Sequence, residues 1–167
     1  DTLEANALQK AIFVFEQTGI ACFADDTGLE IDCLDGRPGV YSARYAGEAK
    51  NAADNMSKIL KEMESCTDRK ANFRTVIAYV DGKQEQLFEG IVDGKISEDL
   101  RGTNGFGYDP IFVPSLSFGE ELTERSFAEM DLSEKNKISH RALAVNKLVK
   151  IKLNIPSLPE QQKIASF

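Results

Sequence analysis

The sequence predicts a domain of mixed helix and sheet, α/β or α+β, built around a mixed sheet. Three observations carry this. Residues 3–18 repeat apolar side chains at helical spacing between a capping Asp1-Thr2 and Gly19. Ala71 to Val80 is rich in strand formers, and Asp81-Gly82 is a hairpin signal leading into a second such run, Gln84 to Val92. The length, 167 residues, fits one compact domain with a real core.

In the first helix, Leu3, Ala7, Leu8, Ala11, Ile12 and Phe15 share the apolar side, and Gly19 is a natural stop. Ile20 to Ala24 reads as a short apolar strand ending in Asp25 and Asp26. Thr27 and Gly28 then turn the chain, and Leu29, Ile31 and Cys33 alternate as a second strand. Asp35-Gly36 and Pro38-Gly39 mark turns. Asn51 to Met63 reads as an amphipathic helix through Met56, Ile59, Leu60 and Met63. Asp93-Gly94 predicts a turn before a short strand around Lys95 to Glu98, and the glycines from Gly102 to Gly107 predict a loop. Ile111 to Val113 is a brief strand between Pro110 and Pro114. Ser139 is a candidate N-cap for a helix carrying Leu143, Val145, Leu148 and Val149.

The net charge of -7 gives no basic surface for a nucleic-acid backbone. It does not exclude a nucleotide, because a bound cation carries the positive charge locally. Cys22, Cys33 and Cys66 are odd in number, widely spaced and lack a C-x-x-C pair, so they read as thiols in a reducing compartment. No apolar run is long enough to span a membrane, and no signal peptide is visible.

Asp25 and Asp26 are the chemical signal. Alone they read as a solvated turn. Yet adjacent carboxylates at the mouth of a strand repel, and Asp is depleted in strands. They suit Mg²⁺, which takes one or two carboxylates, waters and substrate phosphates. In Gly105-Phe-Gly-Tyr-Asp109, two aromatics flank a glycine that lets the backbone approach a ligand, and aromatic faces stack on bases. The bland alternative is that Phe106 and Tyr108 are core. His140 and Arg141 follow the Ser139 cap, where free N–H groups and the helix dipole suit an acceptor.

The segments Ala24-Asp-Asp-Thr-Gly-Leu-Glu30, Pro38-Gly-Val-Tyr-Ser-Ala-Arg-Tyr45, Gly105-Phe-Gly-Tyr-Asp-Pro-Ile-Phe112, Ser126-Phe-Ala-Glu-Met130 and Lys135-Asn-Lys-Ile-Ser-His-Arg-Ala142 come in the order and with the spacing of one family. Together they resemble the inosine triphosphate pyrophosphatases, which clear non-standard purine nucleotides. The resemblance implies an α/β fold with a mixed central sheet flanked by helices, and two lobes with a substrate cleft between them. It implies Mg²⁺-dependent hydrolysis of ITP, dITP or XTP to the monophosphate and pyrophosphate. Asp26 is then the catalytic carboxylate, as metal ligand or as base for the attacking water, and Asp25 supports it or binds the metal through water. Lys10 faces the triphosphate, in the family's acid–Asn–lysine pattern with Glu4 and Asn6. The resemblance further implies substrate contacts from Thr27 and, at the purine and sugar end, from Phe106, Gly107, Tyr108 and Asp109. Lys135, His140 and Arg141 then read the base. Arg44 has no assigned role, and Tyr41 and Tyr45 read as packing. A homodimer in the cytoplasm, with neither nucleic acid nor membrane as partner, completes the expectation.

Two departures qualify it. Residues 1–152 form the pyrophosphatase domain without the family's N-terminal strand, its Ser/Thr-Gly-Asn-x-x-Lys phosphate loop and the acidic metal ligand after it. The chain as given is therefore expected to turn over weakly or not at all unless another chain supplies that segment. The alternative is an impaired fragment that binds purine nucleotides without turnover. Residues 153–167, with Ile155-Pro-Ser-Leu-Pro-Glu-Gln-Gln-Lys-Ile164, resemble a segment of type I restriction enzyme specificity subunits. A non-enzymatic piece of such an assembly is the third class, supported by the tail alone.

Overall fold

Thr2 starts the first element: its Oγ1 accepts from the Ala5 amide at 3.1 Å and caps α1 (Leu3–Thr18). Gly19 ends it at φ 65°, in the left-handed region that favours glycine. The computed structural model of the protein describes residues 2–115, 117–118, 121–122 and 124–150. After α1 come β1 (Cys22–Ile31), β2 (Pro38–Gly39), α2 (Ala52–Glu62), β3 (Lys70–Val80) and β4 (Glu85–Ile96). β5 (Phe112–Pro114), the small β6 (Ser117–Phe118) and β7 (Glu121–Leu122), α3 (Leu132–Ile138) and α4 (His140–Leu148) follow.

The main sheet has the order β2-β1-β3-β4-β5, and every ladder between these strands is antiparallel. Register decides the two faces, because opposed residues share a side and neighbours alternate. Asp26 lies opposite Val76, while Asp25 and Thr27 lie opposite Ile77 and Thr75. On the Val76 side, Leu3, Ala7 and Ala11 of α1 pack on Val76, Ala78 and Val80. On the Ile77 side, Ala144 and Leu148 of α4 pack on Ile77 and Tyr79. Gly90 permits this: a Cβ there would run into the His140 carbonyl and the Ala144 amide.

Farther along the same strands, Leu29, Ile31, Phe73, Val92 and Ile96 join Met56, Ile59 and Met63, together with Phe112, Phe127 and Met130. Each such side chain contributes about 1.5–3 kcal/mol on burial. The long strands thus carry two packing units, and a cleft opens between them. This is the α/β sheet-and-helix architecture with a cleft that the resemblance implies, but the sheet, expected to be mixed, is antiparallel throughout its described strands because the long β3–β4 hairpin sets its direction. Among the described residues, no helix is long and apolar enough to cross a membrane.

The structure departs from the sequence reading in several places. The predicted turn at Thr27-Gly28 is absent: β1 is one strand through Asp25, Asp26, Thr27 and Gly28, held by β3 along its length. Each carboxylate finds a cation on its own face, which offsets the repulsion and the poor strand propensity. Gly28 serves a close approach instead, since a Cβ would meet the Gly39 carbonyl oxygen at 2.8 Å. Asp93-Gly94 likewise does not turn: β4 continues to Ile96, and the bare Gly94 admits the Phe112 ring. The strand read at Ile111 to Val113 shifts to Phe112–Pro114, behind a 3-10 turn over Asp109–Ile111. α3 was not foreseen, although Asp131 and Glu134 form a reciprocal capping box at its start.

Cys33 and Cys66, read as free thiols, form a disulfide with Cα atoms 6.3 Å apart, while Cys22 is free. Of the tyrosines read as packing, Tyr45 borders the core, but Tyr41 is exposed beneath the Arg44 guanidinium. The tail read as residues 153–167 lies outside the described residues.

Candidate active site

β1 divides the two aspartates. On the α1 side, Asp26 Oδ1 accepts from Lys10 Nζ at 2.7 Å and Oδ2 from Asn6 Nδ2 at 3.0 Å. Lys10 also donates to the Asp25 backbone carbonyl at 2.7 Å, so one ammonium holds both residues. Asn6 and Lys10 lie four apart on α1 and therefore share one side of the helix. Below them Arg74 of β3 donates to Glu89 and Glu4, which ties the first turn of α1 to the sheet.

On the other side, Asp25 Oδ2 accepts from Arg141 Nη2 at 3.1 Å, and the same nitrogen reaches Thr27 Oγ1 at 3.3 Å. Thr27 and Thr75 hydroxyls share a hydrogen bond of 2.7 Å. Asp25 is thus committed to Arg141, across the strand from Asp26. Adjacent residues of a strand point to opposite faces, and the two aspartates follow that rule.

The cleft, of about 620 Å³, opens on this second side. Thr27 and Leu29 of β1 and Phe73 of β3 form its floor, with Ser42, Ala43 and Asn55 along one wall. Phe106, Gly107, Tyr108 and Asp109 form the next wall, and Lys135, His140 and Arg141 close it. All the predicted substrate residues except Lys10 therefore meet in one cavity. Lys10 and Asp26 stand on the opposite face of β1, one residue from Thr27.

Two aromatics of the Gly105–Asp109 loop divide their tasks. Phe106 is 69% exposed and offers its ring to the cavity, whereas Tyr108 is buried. Burial pushes the Tyr108 hydroxyl above its ordinary range, and it donates to the Ser42 carbonyl at 2.7 Å, joining two walls. Asp109 is buried, accepts from the Phe106 amide at 2.8 Å and pairs with the buried Lys135. The Lys135 ammonium also lies 4.6 Å from the Phe106 ring centroid and 5.5 Å from that of Phe127. Gly105 is needed here, since its φ is 79° and a Cβ would strike the Asp109 carboxylate.

His140 stacks on Phe73, centroids 4.6 Å apart and planes 19° from parallel. Burial, and next Arg141 and Lys135, bring its pKa down to about 3, so the ring is neutral. Its Nδ1 is buried and has no hydrogen-bond partner among the described residues. A buried orphan polar atom at a cavity wall is a place for a ligand to satisfy. Ser139 Oγ accepts from the Ala142 amide at 3.2 Å, so the cap of α4 stands where the sequence predicts it.

The sequence reading missed Asn55 and Phe73. Asn55 accepts from the Ala46 amide at 2.6 Å and donates to the Ala43 carbonyl at 3.2 Å, fixing the Tyr41–Ala46 loop. Its signal was a polar residue beside Met56 on the apolar side of an amphipathic helix. Phe73 gives no signal beyond an ordinary strand apolar.

A hard divalent cation is compatible with Asp26. Among the described residues no three acidic, His or Cys side chains converge. Mg²⁺ needs only one or two protein carboxylates when phosphates and waters fill its shell. The Asp26 carboxylate is held in place by Asn6 and Lys10.

A model of the Ham1 family matches residues 1–151. A dITP/XTP pyrophosphatase of Flavobacterium johnsoniae is 54% identical over 150 residues, covering 89% of this chain and 74% of that protein. One from Porphyromonas gingivalis is 54% identical over 149 residues, with the same coverage. The solved Ham1 protein of Staphylococcus aureus superposes with a TM-score of 0.82 at 38% identity, covering 89% of this chain and 74% of that one. A HAM1 protein from Coxiella burnetii gives 0.82 at 39%, covering 90% and 76%.

Proposed function

The chain belongs to the Ham1 family, and we propose that it is a nucleoside triphosphate pyrophosphatase hydrolysing dITP, ITP and XTP to the monophosphate and pyrophosphate. The observation that carries this is the division of labour across β1. A purine seated in the cleft brings its phosphates to Thr27, one residue from the Asp26 carboxylate.

In this reading Phe106 stacks on the base and Tyr108 and Gly107 shape the wall behind it. Lys135, held by Asp109, and the neutral His140 hydrogen-bond the base edge together with the first amides of α4. Donors aimed at a 6-oxo group reject the 6-amino group of adenine, because two donors then face each other unsatisfied. Asp26 orients the water that attacks the α-phosphorus and accepts its proton. Lys10 and Arg141 offset phosphate charge, and Thr27 holds a phosphate oxygen. Asp26 is the residue that would hold Mg²⁺, which when bound would supply charge neutralisation at the pyrophosphate leaving group. The protein's share is positioning and fixed charge.

A second reading, nucleotide binding without turnover, rests on the edge of β1. Among the described residues, β2 pairs only with Leu29 and Glu30. From Cys22 to Gly28 that edge therefore has no described strand to offer backbone donors to a triphosphate beside Asp26.

The free nucleotide pool of the cytoplasm is the setting this substrate supports, and nucleic acid is not a partner, given the net charge of -7. Cys33 and Cys66 would be kept reduced there. We place a homodimer in the same proposal; exposed Phe13 and Phe23 supply apolar surface for it. Pyrophosphate release from ITP, XTP, ATP and GTP, with and without Mg²⁺ and in Asp26→Asn, tests the assignment.

A further inference from the structure

The cleft's charges nearly cancel, and one does not. The titratable groups lining it are Lys50, Asp109, Lys135, His140, Arg141 and Tyr108, whose hydroxyl burial keeps neutral. Asp109 neutralises Lys135, and Arg141 is paired with Asp25. His140 is buried and uncharged. Lys50 remains: its ammonium makes no hydrogen bond or ion pair with any described residue.

Its backbone is also unusual. Lys50 sits immediately before the Asn51 cap of α2 at φ 53°, in the left-handed region, where its amide donates to the Gly47 carbonyl at 3.2 Å. Glycine or asparagine is the ordinary occupant of such a position. Lysine here costs backbone energy, and its ammonium forms no hydrogen bond or ion pair with the described protein, so its use is to be sought in what enters the cleft.

We propose that Lys50 is a specificity residue that favours a purine carrying negative charge, xanthine over hypoxanthine. The chemistry of the two bases separates them. The xanthine ring of a nucleotide loses a proton close to neutral pH and is then an anion, whereas hypoxanthine stays neutral until alkaline pH. A cavity whose net charge is that of one free ammonium, walled by Leu29, Phe73, Phe106 and Tyr108, attracts the anionic base more strongly than open water would allow. This rests on the reading of the cleft as the base site.

The test is calorimetric titration of the full chain with XMP and with IMP, above and below the pH at which the xanthine ring ionises. Binding is read rather than turnover, so the result does not depend on catalysis. XMP is expected to bind about threefold tighter than IMP at the higher pH, the scale of a partly exposed ion pair. The preference should shrink as pH falls and as salt is added. Lys50→Gly suits the left-handed backbone and so keeps the fold, and it should remove the preference, as should Lys50→Gln. Lys50→Arg should retain it. An XMP preference that survives both Lys50→Gly and Lys50→Gln overturns the role of Lys50, as does equal binding of XMP and IMP by the unaltered chain. If neither nucleotide binds, the base-site reading falls and the proposal with it.

Discussion

Replacing Asp109 by Ala isolates the contact that organises the cleft. The Lys135 and Asp109 side chains are 10% and 3% exposed, so the variant strands an ammonium in a nearly dry site. Removing one partner of a buried ion pair costs about 3–5 kcal/mol. The Phe106 amide also loses its acceptor, about 1 kcal/mol more. Against this, the ammonium keeps the Phe106 and Phe127 rings, worth about 0.5–2 kcal/mol. The balance is a loss of about 3–4 kcal/mol, which for a chain of this size lowers Tm by roughly 10 °C. Adding Lys135→Met removes the stranded charge, so the double variant should be more stable than Asp109→Ala alone. Urea unfolding of the three proteins measures this. A cost for Asp109→Ala no larger than a surface change, about 0.5 kcal/mol, would refute the reasoning, as would a double variant less stable than the single.

His140 sets a pH window. Its pKa falls from 6.5 to about 3 on folding, so only the unfolded chain takes up the proton between those values. The contribution is whole above pH 6.5 and is lost as pH falls; about 2 kcal/mol should disappear between pH 7 and pH 5, read from urea midpoints. His140→Gln should flatten that slope. The Cys33–Cys66 bridge closes a separation of 33 residues, worth about 3–4 kcal/mol in chain entropy. Reductant should lower the urea midpoint accordingly and leave a Cys33→Ser variant unmoved.

Much of this was legible from local chemistry. α1, its Thr2 cap and its Gly19 stop follow from spacing, and so does the long β3–β4 hairpin. The residues of the cleft were legible as motifs, because Gly105, Gly107 and the Ser139 cap leave marks in sequence. What failed were turns. Asp25-Asp26-Thr27-Gly28 and Asp93-Gly94 are turn formers by propensity, yet both lie in strands. Tertiary partners decided the matter: Lys10 and Arg141 for the aspartates, Gly39 and Phe112 for the two glycines. The separation of Asp26 from the cleft could be inferred only as strand alternation. Which side held the cavity depended on where α4 docks, through Gly90, and no local pattern announces that. The Cys33–Cys66 pair needs the approach of α2 to the end of β1, equally invisible to spacing.

In the proposed function Asp26 acts on phosphates whose purine is read in the cleft. A single-turnover assay tests it most directly: excess chain mixed with ITP, XTP, ATP or GTP, with and without Mg²⁺, and pyrophosphate followed in time. Mg²⁺-dependent release is expected from ITP and XTP, faster than from ATP and GTP, and at least about 100-fold slower in Asp26→Asn, the scale of a lost catalytic carboxylate. Release that is unchanged in Asp26→Asn, equally fast from ATP, or absent from ITP and XTP alike would contradict it.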